Sequence, residues 1–121
     1  MDGQAQVAVL VADDDPSLRL LCRVNLELEG YRVFEAATAA EVQGILAAED
    51  VRAMLLDVNL GPDDGIELAR RLRETRPDVS IAIFTGSVER SATWGDVAEG
   101  FLSKPFTLEG LSETVRQLAS R

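Results

Sequence analysis

The sequence has no histidine and only one cysteine, Cys22. Histidine-based catalytic triads, histidine metal sites, internal disulfides and cysteine zinc clusters are therefore excluded. No stretch approaches the ~20 apolar residues of a membrane span, and the first residues lack the basic and then apolar pattern of a signal peptide. We expect a cytoplasmic protein with no membrane partner, in which Cys22 is a small core residue of the first helix.

Basic residues are also few, since 12 lysines and arginines stand against 21 aspartates and glutamates and give a formal net charge of −9. This charge repels nucleic-acid phosphates and anionic lipids, so we expect no direct nucleic-acid binding. Acidic groups that lie close together are costly unless a cation compensates for them. A metal site would supply such a cation.

What the sequence does have is a regular alternation of short apolar runs with amphipathic stretches. Such an alternation is typical of a parallel sheet with crossover helices. The apolar runs predict strands at 7–12, 32–36, 53–56, 79–84 and 101–102, with about five helices between and after them. Right-handed crossovers then favour an α/β fold, a doubly wound five-stranded parallel sheet with helices on both faces. The length predicts one domain over residues 1–121, with its core at about 6–119.

The predicted helices carry capping signals and apolar residues at helical spacing. Asp15 and Pro16 begin the first helix, and Thr38 with Glu41 forms a capping box for the second. The spacing predicts buried faces that comprise Leu20, Leu21, Val24 and Leu28 in the first helix, Ile66, Leu68, Ala69 and Leu72 in the third, and Leu111, Val115 and Leu118 in the last.

Polar side chains follow four of the predicted strands. Asp13 and Asp14 follow the first strand, Asp57 the third, Thr85 the fourth and Lys104 the fifth. Each residue taken alone has an ordinary structural explanation, such as a helix cap for the acids or a solvated surface position for the lysine. In doubly wound sheets, however, ligands bind beyond the carboxyl ends of the strands. The complete set in this order is hard to obtain from packing alone, and we expect one site.

Three carboxylates in one crevice call for a hard divalent cation, Mg²⁺ or Mn²⁺. We expect Asp14 and Asp57 to bind the metal directly, Asp13 to hold a metal-bound water, and the backbone carbonyl of Asn59 to complete the protein ligands. An aspartate beside such a metal can act as a nucleophile in phosphoryl transfer.

In that reaction, Asp57 would accept the phosphoryl group. The Lys104 ammonium and the Thr85 hydroxyl would neutralise its oxygens. Gly86, directly after the threonine, would leave room for the group to approach the backbone.

Four segments together resemble the receiver domains of bacterial response regulators, and the resemblance extends from Val7 to Leu118. They are VLVADDDPSLRLL, MLLDVNLGPDDGIEL, IAIFTGS and GFLSKPF. The resemblance implies a flavodoxin-like strand order 2-1-3-4-5. It also implies that Asp57 is the phosphoacceptor, Asp13 and Asp14 the metal-binding pair, Thr85 the switch hydroxyl and Lys104 the phosphate-contacting lysine.

Further roles follow from the resemblance alone. Phe101 falls at the family's switch aromatic, although a core-packing phenylalanine is an alternative. Gly65 stands in its expected place, and the bond before Pro105 is often cis in relatives. Asn59 and Ser87 occupy the positions that tune how fast the phosphoryl group is lost.

The sequence departs from the family at two places. After Asp57, relatives tend to have proline and then glycine, whereas this chain has Gly61 and then Pro62. This reversal predicts a shift in the geometry of the turn. The segment from Thr85 to Lys104 is short, and 88–94 has little apolar periodicity, which predicts an abbreviated or irregular fourth helix. Trp94 is either a core anchor or a partner contact.

The expected function is that of a signalling switch rather than a turnover enzyme. A histidine kinase or histidine phosphotransfer protein would be the phosphodonor, and the output would be a protein partner or an output domain acting in trans. The chain would be a stand-alone regulator or a domain excised from a larger regulator or hybrid kinase. The alternatives are a receiver-like interaction module that is not phosphorylated and a haloacid-dehalogenase-type phosphatase. Phosphatases of that class have a second acid two residues after the nucleophile, where this chain has Asn59.

Overall fold

The structure is a computed structural model that describes residues 6–86 and 94–120. Ser87 lies outside the described residues, as does most of the segment for which we predicted an irregular fourth helix. The side chain of Trp94 is likewise outside them. In chain order the elements are β1 (Ala8–Ala12), α1 (Pro16–Leu28), β2 (Arg32–Ala36), α2 (Ala39–Ala48), β3 (Val51–Asp57), β4 (Asn59–Leu60), β5 (Asp63–Asp64), α3 (Gly65–Thr75), β6 (Ser80–Thr85), a 3₁₀ turn (Trp94–Asp96), β7 (Gly100–Ser103) and α4 (Leu108–Ala119).

Five of these strands form one parallel sheet in the order β2-β1-β3-β6-β7. The two-residue strands β4 and β5 pair only with each other, so the sheet has the predicted flavodoxin-like order 2-1-3-4-5. In register, Ala12 lies beside Leu56, and Asp57 lies beside Phe84. The carboxyl ends of β1, β3 and β6 therefore meet at one edge, as the sequence predicted.

Two apolar layers cover the two faces of the sheet. Alternate residues of the strands point to opposite sides, so Leu10 and Leu56 pack towards α2 and α3 while Val11 and Leu55 pack towards α1 and α4. All four of these strand residues are fully buried. The prediction of helices on both faces is confirmed. In the described part of the chain, no helix is both long enough and apolar enough to cross a membrane.

The buried face of α1 differs from the prediction. Cys22 and Leu26 are fully buried and Leu18 is partly buried, whereas the four residues predicted to form the stripe are 44% to 80% exposed: Leu20, Leu21, Val24 and Leu28. Apolar residues occupy much of the circumference of this helix, so periodicity alone did not select the face that packs. Cys22 is a core residue, as predicted. Its burial raises the pKa of the thiol to about 12.

The other helix predictions are confirmed. At the start of α1 the Asp15 carboxylate accepts hydrogen bonds from the backbone amides of Ser17 and Leu18. At the start of α2 the Thr38 hydroxyl accepts the amide of Glu41, while the Glu41 carboxylate accepts the amide of Ala37 rather than that of Thr38. The predicted apolar faces of α3 and α4 are buried.

After β3, where a shifted turn was predicted, the chain forms a short hairpin. Asn59 and Leu60 pair with Asp64 and Asp63, and Gly61 at the tip has a φ of 62°, a conformation that favours glycine. This is how the chain accommodates the reversed Gly61–Pro62 order.

The chain then folds back tightly against the end of β3. The amide of Gly65 donates to the carbonyl of Val58 at 2.7 Å. A Cβ on Gly65 would lie 1.9 Å from the carbonyl oxygen of Asp57. Only glycine fits at this contact, so the backbone next to Asp57 depends on Gly65.

We expect Gly65→Ala to lower the free energy of unfolding by about 3 kcal/mol, because the added methyl group overlaps the backbone of β3. Gly44→Ala is the matched control, since a Cβ on Gly44 would meet no atom within 4 Å. Alanine is the better helix former, so the control should gain roughly 0.5 to 1 kcal/mol. Urea denaturation measures both. A Gly65→Ala protein as stable as the wild type would contradict the steric argument.

Candidate functional site

The carboxylates of Asp13, Asp14 and Asp57 form a cluster at the carboxyl edge of the sheet. One oxygen of each lies within 4.8 Å of the others. Asp13 and Asp14 directly follow β1, and Asp57 is the last residue of the adjacent strand β3. Asp13 is completely buried, Asp57 is 8% exposed, and Asp14 is open to solvent. The structure therefore brings together the three acids that the sequence singled out.

Lys104 bridges the two buried acids. Its Nζ lies 2.8 Å from Oδ2 of Asp13 and 2.9 Å from Oδ2 of Asp57. Its amide donates to the carbonyl of Thr85 at 2.7 Å, which ties the segment after β7 to the end of β6. The bond from Lys104 to Pro105 is cis. The predicted lysine therefore contacts the acid cluster directly.

The remaining oxygens of the two buried acids accept backbone amides. Oδ1 of Asp13 accepts the amide of Asp15 at 2.9 Å, and Oδ1 of Asp57 accepts the amide of Asn59 at 3.0 Å. Both carboxylates are thus fixed by a hydrogen bond on each oxygen. Asp14 differs, because its carboxylate has no hydrogen-bond or ion-pair partner among the described residues.

The pKa values of this cluster follow from burial and charge. Burial raises the pKa of Asp13, and the nearby Asp57 raises it further, against the opposing effect of the Lys104 hydrogen bond. Burial alone would lower the pKa of Lys104, but its hydrogen bonds to Asp13 and Asp57 outweigh burial and raise it. Lys104 is therefore charged at neutral pH. One ammonium faces three acids, and the negative charge is only partly compensated.

The predicted switch residues lie on the neighbouring strands. Thr85 is 3% exposed at the end of β6, and its predecessor Phe84 pairs in register with Asp57. Phe101 pairs with Ile83 and packs, partly buried, against the apolar layer on the α2 and α3 side. That packing agrees with the core alternative. Gly86 is exposed, and a Cβ there would meet no atom of the described residues within 4 Å, so their packing does not require glycine at this position.

One residue near the site was missed by sequence reasoning. Arg19 donates from Nη1 to the backbone carbonyl of Asp13 at 2.6 Å and from Nε to Glu35 Oε1 at 3.0 Å. Glu35 is 16 residues away on β2. No local pattern links an arginine on a helix to a glutamate on the next strand, so the sequence offered no signal for this contact.

Comparison with known proteins gives a consistent result. The family model for the response regulator receiver domain matches residues 9–116. The chain is 38% identical over 118 residues to the response regulator MprA of Mycobacterium bovis, an alignment that covers 95% of this chain and 51% of MprA. A similar match is MprA of Mycobacterium avium, at 38% identity over 116 residues, 93% of this chain and 51% of that protein. The chain spans about half the length of these relatives.

Solved structures with the same fold include a CheY-like receiver domain protein from Methanospirillum hungatei, with a TM-score of 0.87 and 26% identity over 96% of this chain and 95% of that one. Another is TrrA from Thermotoga maritima, solved in complex with Mg²⁺–BeF, with a TM-score of 0.85 and 27% identity over 93% of this chain and 99% of that one. With its strand order, its acid cluster and a family match across most of its length, the chain belongs to the receiver domains of response regulators, the proteins of two-component signalling.

Proposed function

We propose that the chain is a phosphoryl-accepting switch that receives a phosphoryl group on Asp57 with the help of Mg²⁺. The observation that carries this proposal is the cluster of three carboxylates, within 4.8 Å of one another, with a single ammonium shared between two of them. Structural ion pairs do not require such an excess of acid. A site that binds a divalent cation and then an anionic group does.

The chemistry of the donor set fits Mg²⁺, or Mn²⁺ in its place, because these ions prefer oxygen ligands. Asp14 and Asp57 would bind the ion directly, since the Asp14 carboxylate is exposed and without a partner among the described residues. Asp13 would act through a water, because its side chain is more deeply buried than that of Asp57. The carbonyl of Asn59 would complete the set. When bound, the ion neutralises charge on the acids and on the phosphoryl oxygens.

Asp57 would attack phosphorus through its carboxylate, forming an O–P bond as the bond between phosphorus and the donor breaks. The amide of Asn59 holds one carboxylate oxygen in place during the attack. The Lys104 ammonium, already 2.9 Å from the other oxygen, would move to a phosphoryl oxygen. Thr85 and Gly86 lie beside the end of β3 and would receive the remaining oxygens. The chain promotes its own modification and has no separate substrate to turn over.

The conformational output would involve Thr85 and Phe101. They lie on β6 and β7, which pair directly, so a movement of Thr85 towards a phosphoryl group acts on the strand that carries Phe101. Phe101 is partly buried: one part of its side chain packs against the core, and the rest is accessible to solvent. Phosphorylation would bias this aromatic side chain inward, and a binding surface near it would change.

The phosphodonor would be a histidine kinase or a histidine phosphotransfer protein, and the output would be a protein partner or an output domain. Support comes from the receiver family to which the chain belongs. The relatives named response regulator MprA are about twice as long as the aligned segment, so their further activities are not transferred to this chain. The formal net charge of −9 disfavours a nucleic acid as the direct partner.

The first test is labelling with a small phosphodonor in the presence of Mg²⁺, followed by mass mapping. We expect one phosphoryl group per chain on Asp57, in an adduct that is stable to acid and labile to base, and no adduct on Asp57→Asn. Asn59 is small and uncharged, so it should not shield the acyl phosphate from hydrolysis. We therefore expect the label to have a lifetime shorter than many hours. A label on another residue would contradict the assignment of Asp57.

The same labelling separates the two alternatives. A haloacid-dehalogenase-type phosphatase would release phosphate from phosphomonoesters over many turnovers, whereas a switch stops at one phosphoryl group per chain. A receiver-like module that is not phosphorylated would remain unlabelled at saturating Mg²⁺. Either result would replace the proposed function.

The second test concerns metal-free stability. We expect Asp57→Asn to raise the free energy of unfolding without metal by about 1 kcal/mol, because it removes one of three carboxylates that share one ammonium. Mg²⁺ should raise the melting temperature of the wild type by mass action and that of Asp57→Asn much less. Thermal unfolding with EDTA and with Mg²⁺ measures both effects.

Asp50→Asn is the control for net charge, because Asp50 precedes β3 at the end of the strand opposite to Asp57. We expect it to respond to Mg²⁺ as the wild type does. An Asp57→Asn protein that is less stable than the wild type in EDTA, or equally stabilised by Mg²⁺, would contradict the proposed metal site.

A further inference from the structure

Hydrogen bonds hold the backbone of Asp13 through both of its peptide groups, the one before it and the one that joins it to Asp14. The amide of Asp13 donates to the carbonyl of Ala36 on β2 at 3.0 Å. The carbonyl of Asp13 accepts from Nη1 of Arg19 at 2.6 Å. Because a peptide group is planar, fixing its carbonyl oxygen also fixes the direction in which Asp14 leaves it.

Asp14 has no other restraint on its carboxylate. Asp13 and Asp57 each have two hydrogen bonds on their carboxylates, but Asp14 is exposed and has none among the described residues. The direction of the Asp14 side chain therefore depends on its backbone. Two side-chain hydrogen bonds restrain that backbone: Arg19 holds the carbonyl of Asp13 before it, and Oδ1 of Asp13 accepts the amide of Asp15 after it.

Arg19 is itself well anchored. Its side chain is 17% exposed, and its Nε donates to Oε1 of Glu35 at 3.0 Å. A guanidinium presents several donors in a rigid plane, so Arg19 reaches the carbonyl of Asp13 and the carboxylate of Glu35 at once. Glu35 is the neighbour in β2 of Ala36, whose carbonyl accepts the amide of Asp13. The Asp13 backbone is therefore tied to β2 twice, directly through Ala36 and indirectly through Arg19, which Glu35 anchors.

We propose that Arg19 is a positioning residue for Mg²⁺: by holding the carbonyl of Asp13 it aims the Asp14 carboxylate at the metal site. This inference rests on the proposed function, because it names a residue that prepares the same site. Arg19 does not touch the metal and acts through the Asp13–Asp14 peptide group. Residues that orient metal ligands commonly change metal affinity by tenfold or more when they are replaced.

Electrostatics alone predicts the opposite sign. Arg19 carries a positive charge close to a cation site, so removing that charge should tighten Mg²⁺ binding if charge were its only contribution. A positioning role predicts weaker binding. The direction of the change therefore separates the two explanations.

Arg23 provides a matched control on the same helix. Its Nη1 donates to the other oxygen of Glu35 at 3.1 Å, and its Nε donates to Glu27 at 3.4 Å. It is one turn further along α1 and makes no hydrogen bond to Asp13. Arg23→Gln thus removes the same charge and a bond to the same glutamate, but leaves the carbonyl of Asp13 held.

The experiment is a Mg²⁺ titration of the full chain labelled with ¹⁵N, followed through backbone amide shifts, for the wild type, Arg19→Gln, Arg19→Lys and Arg23→Gln. We expect the dissociation constant to rise about tenfold in Arg19→Gln. It should stay within about twofold of the wild type, or fall, in Arg23→Gln. Arg19→Lys keeps the charge, but one ammonium cannot serve both acceptors in this geometry, so it should also bind more weakly than the wild type. At saturating Mg²⁺ the labelling rate of Arg19→Gln should return close to that of the wild type.

The outcomes are distinct. A wild-type chain that binds no Mg²⁺ would overturn the proposed function and this inference with it. A wild type that binds Mg²⁺, with Arg19→Gln and Arg19→Lys binding it equally well or more tightly, would overturn this inference alone. Unfolding in EDTA reports whether the variants remain folded, and if Arg19→Gln does not, Arg19→Lys decides.

Discussion

The interaction on which the site depends is the Lys104 ammonium shared by Asp13 and Asp57. Two carboxylates at the ends of adjacent strands would repel each other at this depth, and a single ammonium between them offsets part of that repulsion without a metal. Lys104 is the only lysine of the chain, and all its other basic residues are arginines. A compact ammonium with three rotatable donors suits this position. Unlike the planar guanidinium of arginine, it can change hydrogen-bond partners without a fixed orientation of its donors.

The fold brings these groups together through the register of the sheet. The parallel strands β1, β3 and β6 end at one edge of the sheet. Helices bury both faces of the sheet, and this burial determines which residue of each strand is the last one packed beneath them. Gly65 contributes at the same edge, because its missing side chain lets the start of α3 pack against the backbone of Asp57. The acid at the end of β3 is thus placed by packing, and the polar contacts then orient its carboxylate.

The sequence predicted the parts of this arrangement that depend on local pattern. Strand ends, caps and the faces of α3 and α4 could be predicted because apolar spacing and capping residues are local signals. Apart from Cys22, the buried face of α1 could not be predicted, since its apolar residues cover too wide an arc and only the partner layer selects Leu26. Arg19 was missed for a related reason: its role depends on Glu35, which only the pairing of β2 with β1 brings near.

The charges of the site would explain why the proposed metal and the proposed phosphoryl group belong together. Three carboxylates and one ammonium leave a formal charge of −2, which a divalent cation would cancel. Phosphorylation of Asp57 would replace one carboxylate charge by roughly two phosphoryl charges, as for other phosphorylated side chains at neutral pH. With the cation present the site would then carry about −1, and without it about −3, a charge that burial makes still less favourable. Asp13 is completely buried, so further negative charge beside it would be poorly screened and would raise its pKa, already raised by burial, still further. The charges of the site would therefore favour the proposed acceptance of a phosphoryl group only when the cation is bound.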